Sequence, residues 1–125
     1  MTPQFDTVVL PCADIARQRA FYERILEMKP GFERADWVRF DLGHVRLALR
    51  ARGDALFPRG PGGGAGVQLS FRVDDADAVD RWHRRLLTAR VAVLEAPTEK
   101  PWGHRTLYAS DPEGNVIAIF CDLTP

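Results

Sequence analysis

Lysine is almost absent from this chain. Fifteen of its seventeen basic side chains are Arg, a bias that genomic base composition can produce as readily as function. Seventeen acidic residues cancel them, so no global field recruits nucleic acid or an anionic membrane, and neither is expected as a partner. There is no run approaching the ~20 apolar residues that a membrane span needs. The start, Met1-Thr2-Pro3-Gln4, has no charged segment followed by an apolar one, so an export signal is not expected and the protein is read as cytoplasmic. Cysteine is equally scarce. Cys12 and Cys121 each sit inside an apolar strand pattern, which reads as two buried thiols in a reducing compartment rather than a disulfide framework. The glycine-rich stretch Gly60-Pro61-Gly62-Gly63-Gly64 is not followed by Lys-Ser/Thr or by a helix pattern, which excludes a phosphate loop and leaves a flexible lid over a cavity mouth as the more natural reading.

What remains is enough for one domain. A chain of 125 residues and 14.0 kDa can bury its own core but has no room for a second. The hydrophobic pattern reads β-α-β-β-β twice over residues 1–125: module one at about 5–50, a linker at about 51–65 and module two at about 66–122. A first strand from Phe5 to Cys12 ends at Asp14, a helix N-cap. The spacing of Ile15, Phe21, Ile25 and Met28 predicts a helix over 15–28 with one apolar stripe, stopped by Pro30-Gly31. Phe32 to Arg34, Trp37 to Leu42 and Val45 to Leu49 follow as strands, the last two joined at Gly43-His44. In the second half, Val67 to Val73 is a strand and Asp74-Asp75 cap a helix over 76–88. Strands at Val91 to Glu95, Arg105 to Ser110 and Val116 to Cys121 complete it.

The halves form a weak repeat of about sixty residues. Phe71-x-Val73-Asp74-Asp75 echoes Leu10-x-Cys12-Ala13-Asp14, because both close a strand on an acidic helix cap. A single module exposes one face of its sheet, so pairing two of them buries or encloses those faces. Strand alternation sets Val8, Leu10, Leu69, Phe71, Ile117 and Ile119 toward the helices. It sets Thr7, Val9, Gln68, Ser70, Val116, Ala118 and Phe120 on the opposite faces.

The most informative stretch runs from Tyr108 to Phe120. Asp111-Pro112-Glu113-Gly114 is strong turn chemistry between two strand patterns: Pro112 presets φ, the Asp111 side chain bonds the backbone ahead of it, and Gly114 tolerates positive φ. At the front, Thr7-Val8-Val9-Leu10 leads to Asp14-Ile15, then to Ala20-Phe21-Tyr22-Glu23 and Ile25-Leu26. Together these segments resemble the vicinal oxygen chelate superfamily, which includes glyoxalase I, extradiol dioxygenases, fosfomycin resistance enzymes and bleomycin resistance proteins. The resemblance covers nearly the whole chain. It implies an α+β glyoxalase/bleomycin resistance fold: two βαβββ modules pairing into a cupped, partly open mixed-sheet barrel, with the helices outside. It also implies a homodimer.

In the metal-dependent members of that family, metal ligands occupy three positions that correspond here to Thr7, Gln68 and Ala118. A divalent catalytic ion needs imidazole, carboxylate or thiolate donors. Thr and Gln offer weak neutral oxygens and Ala offers none, although some members do use Gln. His44, His83 and His104 fall on a hairpin, within a helix and ahead of a strand, and read as surface or half-buried residues. No metal and no other cofactor is expected, and a metal-dependent lyase or dioxygenase becomes the weaker alternative.

The same alternation points Trp37, Arg39 and Asp41 from one strand, Arg46 and Ala48 from the next, and Thr106 and Tyr108 from a third into the cavity. Aromatic walls with a few charges are the usual makeup of a small-molecule site. Alternatively, Arg39, Asp41 and Arg46 pair with one another on an exposed sheet edge. The Trp102-Gly103 pair resembles a feature of the bleomycin-resistance-like branch, where it helps to form a ligand crevice, and Trp102 offers a flat π surface. Ordinary packing or a dimer anchor is the other reading. Trp37, Arg39, Asp41, Arg46, Gln68, Trp102, Tyr108 and Phe120 are therefore the candidate ligand-binding residues, for a small organic molecule that is partly aromatic. The rival function is a metal-independent isomerase, cyclase or hydrolase in which Asp41 or Tyr108 moves a proton. A vestigial cavity is the third.

Overall fold

The computed structural model describes residue 2 and residues 4–55, 57–59 and 67–123. The glycine-rich segment, read above as a lid over the cavity, lies largely outside the described residues. The chain forms two compact units, Met1–Gly62 and Gly63–Pro125. The first contains β1 (Thr7–Cys12), α1 (Ile15–Leu26), β2 (Phe32–Glu33), β3 (Trp37–Asp41) and β4 (Arg46–Ala51). The second contains β5 (Gln68–Arg72), α2 (Ala76–Thr88), β6 (Ala92–Lys100), β7 (His104–Ser110) and β8 (Val116–Asp122). Each unit is thus one βαβββ module of an α+β fold. The four-stranded sheets have the orders β1-β4-β3-β2 and β5-β8-β7-β6. Both are open sheets, and neither closes into a barrel on itself.

In each module the first strand pairs in parallel with the last, Thr7 opposite Arg46 and Gln68 opposite Val116. A parallel pair cannot be made by a tight turn, so the intervening chain crosses over with a helix. Both crossovers begin with the acidic cap read from sequence: Asp14 accepts from the Arg17 amide at 3.0 Å and Asp75 from the Ala78 amide at 2.8 Å. α1 packs against β4, and α2 against β6, β7 and β8. The covered faces form the two cores. Leu10, Cys12, Val38, Phe40, Leu47 and Leu49 are buried with Tyr22 and Ile25 of α1. In the other module Leu107, Ala109, Ile117, Ile119 and Cys121 are buried with Val79 and Leu86 of α2. Cys12 and Cys121 are buried and form no disulfide, and Cys12 Sγ donates to the Leu10 carbonyl at 3.1 Å.

Several expected boundaries shift. β1 starts at Thr7, and Phe5 is largely exposed. α1 ends at Leu26 rather than Met28, because Glu27 turns left-handed at φ 53 and its amide bonds back to the Glu23 carbonyl. The stripe it buries is Gln18, Tyr22 and Ile25; Phe21 is only half-buried and packs edge-on against Tyr22 at 5.0 Å. β2 stops at Glu33. β6 does not end at Glu95 but continues through Pro97 to Lys100. Pro has no N–H for a ladder, yet β6 is an edge strand and its register slips between Glu95 and Thr98, where a bulge accommodates the ring.

The β7–β8 hairpin is as the sequence indicates, with Ser110 opposite Val116 through His104 opposite Asp122. Its turn is organised by Asp111, which is buried. One carboxylate oxygen accepts from the Glu113 and Asn115 amides, both at 2.9 Å, and the other from the Asn115 side-chain amide at 2.8 Å. Gly114 sits at φ 89, where a Cβ is strained. Asp111→Ala strands these donors and should lower unfolding stability by about 2–3 kcal/mol, against about 1 kcal/mol for the exposed cap in Asp14→Ala. Urea unfolding of both variants checks this; equal losses would show that the buried turn has no special weight.

Candidate functional site

The face of each sheet turned away from its helix carries most of the candidate residues. In module one, the ladder aligns Thr7, Arg46 and Asp41 in one row, Val9, Ala48, Arg39 and Phe32 in the next, and Pro11, Arg50 and Trp37 in a third. Trp37, Arg39, Asp41 and Arg46 thus share one face, each half-buried. The charges are mutually engaged. Arg39 Nε donates to Asp41 Oδ1 at 2.9 Å, Arg46 Nε lies 3.4 Å from the same oxygen, and Arg46 Nη1 donates to Asp6 Oδ1 at 2.8 Å. The Arg39 guanidinium also sits 5.6 Å from the centre of the Phe32 ring. Gly31 packs closely beside this cluster: a Cβ there would lie 2.1 Å from Asp41 Oδ2 and displace that carboxylate.

At the β3 and β4 ends of this face opens a cleft of about 660 Å³, lined by Phe32, Trp37, Arg34, Arg50, Arg52, Arg59 and their neighbours. Of these only Trp37 is among the sequence-derived site residues. Arg50 was legible, because it stands directly opposite Trp37 across the β3–β4 ladder. Arg52 and Arg59 lie past the strand, where no periodicity marks them.

In module two the corresponding face holds Gln68, Ser70 and Arg72 from β5, Ala118, Phe120 and Asp122 from β8, His104, Thr106 and Tyr108 from β7, and Glu95 and Lys100 from β6. The Phe120 ring stacks on His104 at 4.4 Å, with Arg72 5.1 Å from its centre. The Asp122 carboxylate bonds Arg72 and lies 3.2 Å from His104 Nε2. Lys100 lies 5.2 Å from the centre of the Tyr108 ring and donates to Glu95 Oε1 at 2.6 Å. Gln68 Nε2 donates to Ser70 Oγ at 3.0 Å. His104, expected ahead of the strand, is its first residue and belongs to this cluster, paired with a carboxylate that sequence reasoning did not single out.

Trp102 is apart from the ladder. It occupies the turn between β6 and β7, next to Gly103 at φ 90, and is 61% exposed. That exposure removes the reading of Trp102 as core packing.

At Thr7, Gln68 and Ala118, the positions that the family resemblance sets against metal ligands, the donors are poor for a divalent ion: Ala118 has none, and Gln68 Oε1 and the Thr7 hydroxyl, which donates to Asp6 Oδ2 at 2.5 Å, are weak neutral oxygens. Among the described residues no three His, Cys, Asp or Glu side chains come together as a metal site. No helix of the described residues is long and apolar enough to cross a membrane.

Comparison with known proteins bears on this geometry. Residues 4–119 match the family model described as the Glyoxalase/Bleomycin resistance protein/Dioxygenase superfamily. The chain is 28% identical over 127 aligned positions to Biphenyl-2,3-diol 1,2-dioxygenase 2 of Rhodococcus globerulus, covering 97% of this chain but only 64% of that enzyme's length. It is 26% identical to Metallothiol transferase FosB of Staphylococcus saprophyticus, covering 95% of this chain and 77% of the transferase. Among solved structures, lactoylglutathione lyase from Agrobacterium tumefaciens superposes with a TM-score of 0.76 at 24% identity, covering 97% of this chain and 95% of that one, a likeness of fold.

The Lys100–Glu95 pair makes a pH-dependent prediction. The Glu95 carboxyl is held below its ordinary value of 4.5, chiefly by the hydrogen bond from Lys100 and then by its charge, with burial opposing. A depressed carboxyl stabilises the fold above its ordinary pKa, and that contribution disappears as pH falls through the lowered value. Glu95 should therefore titrate below 4.5 by NMR, and Lys100→Met should raise it. The stability difference between the two proteins should be constant at neutral pH and shrink in acid. An unchanged Glu95 titration in Lys100→Met would refute the assignment.

Proposed function

The chain belongs to the Glyoxalase/Bleomycin resistance protein/Dioxygenase superfamily, and from that premise we propose that it is a metal-independent binding protein that sequesters or carries a small, partly aromatic organic molecule. The observation that carries this reading is the donor set: Thr7, Gln68 and Ala118, which the family resemblance sets against metal ligands, offer only two weak neutral oxygens. The open faces still carry what a small-molecule site needs. Trp37, Tyr108 and Phe120 offer ring faces, and Trp102 offers another at the β6–β7 turn. Arg39, Arg46, Asp41 and Gln68 hold polar groups. A relative named for biphenyl-2,3-diol supports a planar aromatic ligand class; in this proposal the molecule bound is a natural product or antibiotic of that kind. In this reading the two modules act as one cytoplasmic domain, and two chains form a homodimer. Exposed Phe32, Leu94 and Trp102 and the open sheet edges favour two-fold pairing.

One observation favours an enzyme instead. His104, the first residue of the strand that carries Tyr108, is oriented by Asp122 at 3.2 Å, the arrangement of a carboxylate-steered base. A metal-independent isomerase or hydrolase would use it, or Tyr108 or Asp41, to move a proton, with an Arg stabilising developing negative charge.

Saturable quenching of tryptophan fluorescence across a panel of planar metabolites and antibiotics tests the binding reading. Trp102→Ala and Tyr108→Ala should each weaken a hit by about 1–3 kcal/mol with unfolding stability unchanged for Trp102→Ala. Elemental analysis should find less than one transition metal ion per chain after mild chelation, and sedimentation should report a dimer. A stoichiometric tightly held zinc, nickel, iron or manganese, or a panel with no saturable ligand, would overturn the proposal.

A further inference from the structure

We infer that the arginine-lined cleft of module one binds the carboxylate of a planar aromatic acid. The inference rests on the proposed small-molecule function and adds a place and a charge to it. The cleft, about 660 Å³, has the volume of a small-ligand site. Four guanidiniums line it against two carboxylates, those of Asp36 and Asp54. The chain as a whole is neutral, so this positive excess is local.

The four are not equally committed. Arg34 lies 3.4 Å from Asp36, and Arg50 is bonded to Asp54 with its guanidinium 4.8 Å from the centre of the Phe57 ring. Arg52 and Arg59 have no carboxylate partner among the described residues, and Arg52 Nε is buried without an acceptor. A buried donor left unbonded is costly, so a shift of the Arg52 side chain that brings this N–H to an oxyanion in the cleft is favoured. The guanidinium fork matches a carboxylate in two parallel hydrogen bonds.

The wall behind these donors is held in place. The Arg52 amide donates to the Cys12 carbonyl at 2.9 Å and the Ala51 amide to Asp36 at 3.0 Å. Past the strand, the Gly53 amide donates to the Phe57 carbonyl at 2.8 Å and the Phe57 amide to Asp54 Oδ1 at 2.8 Å. The cation is therefore presented by a fixed backbone, which reduces the ordering cost of binding. Phe32 and Trp37 supply the apolar side of the cleft. Stacking on them requires a flat ligand, and the free guanidiniums require an anion at its edge.

Titration calorimetry with 1-naphthoate, 1-naphthalenemethanol and inorganic phosphate, paired with NMR of arginine side-chain N–H groups, tests the inference. Naphthoate should bind at least about tenfold more tightly than the neutral alcohol, weaken as salt is added and shift the Arg52 Nε–H resonance. Arg52→Gln and the exposed Arg59→Gln should each lose most of that preference while leaving the alcohol unaffected. Equal affinity for naphthoate and the alcohol overturns the inference but leaves the binding function standing. So does naphthoate binding that survives both substitutions and moves Tyr108 signals instead. Phosphate binding alone reduces the cleft to a simple anion site and also overturns it. Failure of both aromatic probes to bind at all counts against the inference and the proposed function together.

Discussion

Everything in this fold follows from pairing the first strand of each module with its last in parallel. Such a pair excludes a hairpin between the partners and forces a crossover. The helix of that crossover must bury its apolar stripe, and the sheet just formed is the available surface. One face of each sheet is therefore committed to the core through Leu10, Phe40, Leu47 and Leu49, or through Leu107, Ile117 and Ile119. The opposite face is left to carry chemistry. Alternation then decides residue by residue which side chains are structural and which are free, so a one-residue slip in β3 would exchange Phe40 for Arg39 in the core.

The free faces are rich in ion pairs, but these are half-exposed, and pairs of that kind contribute little to stability. Arg39, Asp41 and Arg46 satisfy one another, so a ligand engaging either arginine must compete with a carboxylate already in place. The same is true of Arg72 and His104, which share Asp122. Arg52 differs because its buried Nε has no competitor. Free cations bind an anion at lower cost than paired ones, and this ranks the cleft above the paired clusters as the seat of a charged group.

The fold was legible where local chemistry is unambiguous. Asp14, Asp75 and the Asp111-Pro112-Glu113-Gly114 turn are short-range signals, and each acts as its residue type requires. Boundaries were less legible. Pro97 looks like the end of a strand until the neighbouring strand is known, because only an edge position spares its missing donor. The helix stripe was misread at Phe21 because the buried set includes Gln18, and no hydropathy pattern marks a buried amide as core. The open-face residues followed from alternation. Arg52 and Arg59 did not, since they lie past the strand, and the His104–Asp122 pair was missed because both residues fall one position beyond the expected strand ends, although they stand opposite one another in the hairpin.

Family membership fixes the scaffold and leaves the chemistry to the site. This chain is similar in sequence to proteins named as a dioxygenase and a metallothiol transferase and in fold to one named as a lyase, so the scaffold does not select one chemistry and the side chains at a few positions must. Ala118 is the most telling of these. It is 1% exposed and lies in the ladder between Ser70 and Tyr108. A carboxylate at such a position would be a buried charge, tolerable only with a cation to pair it. With a metal present, Glu is stabilised there; without one, a small apolar side chain is the lower-energy choice. Ala at this position, together with neutral Thr7 and Gln68, suits the proposed metal-independent site in stability as well as in chemistry, and this supports the proposal of a binder that recognises its ligand by ring faces and guanidinium groups.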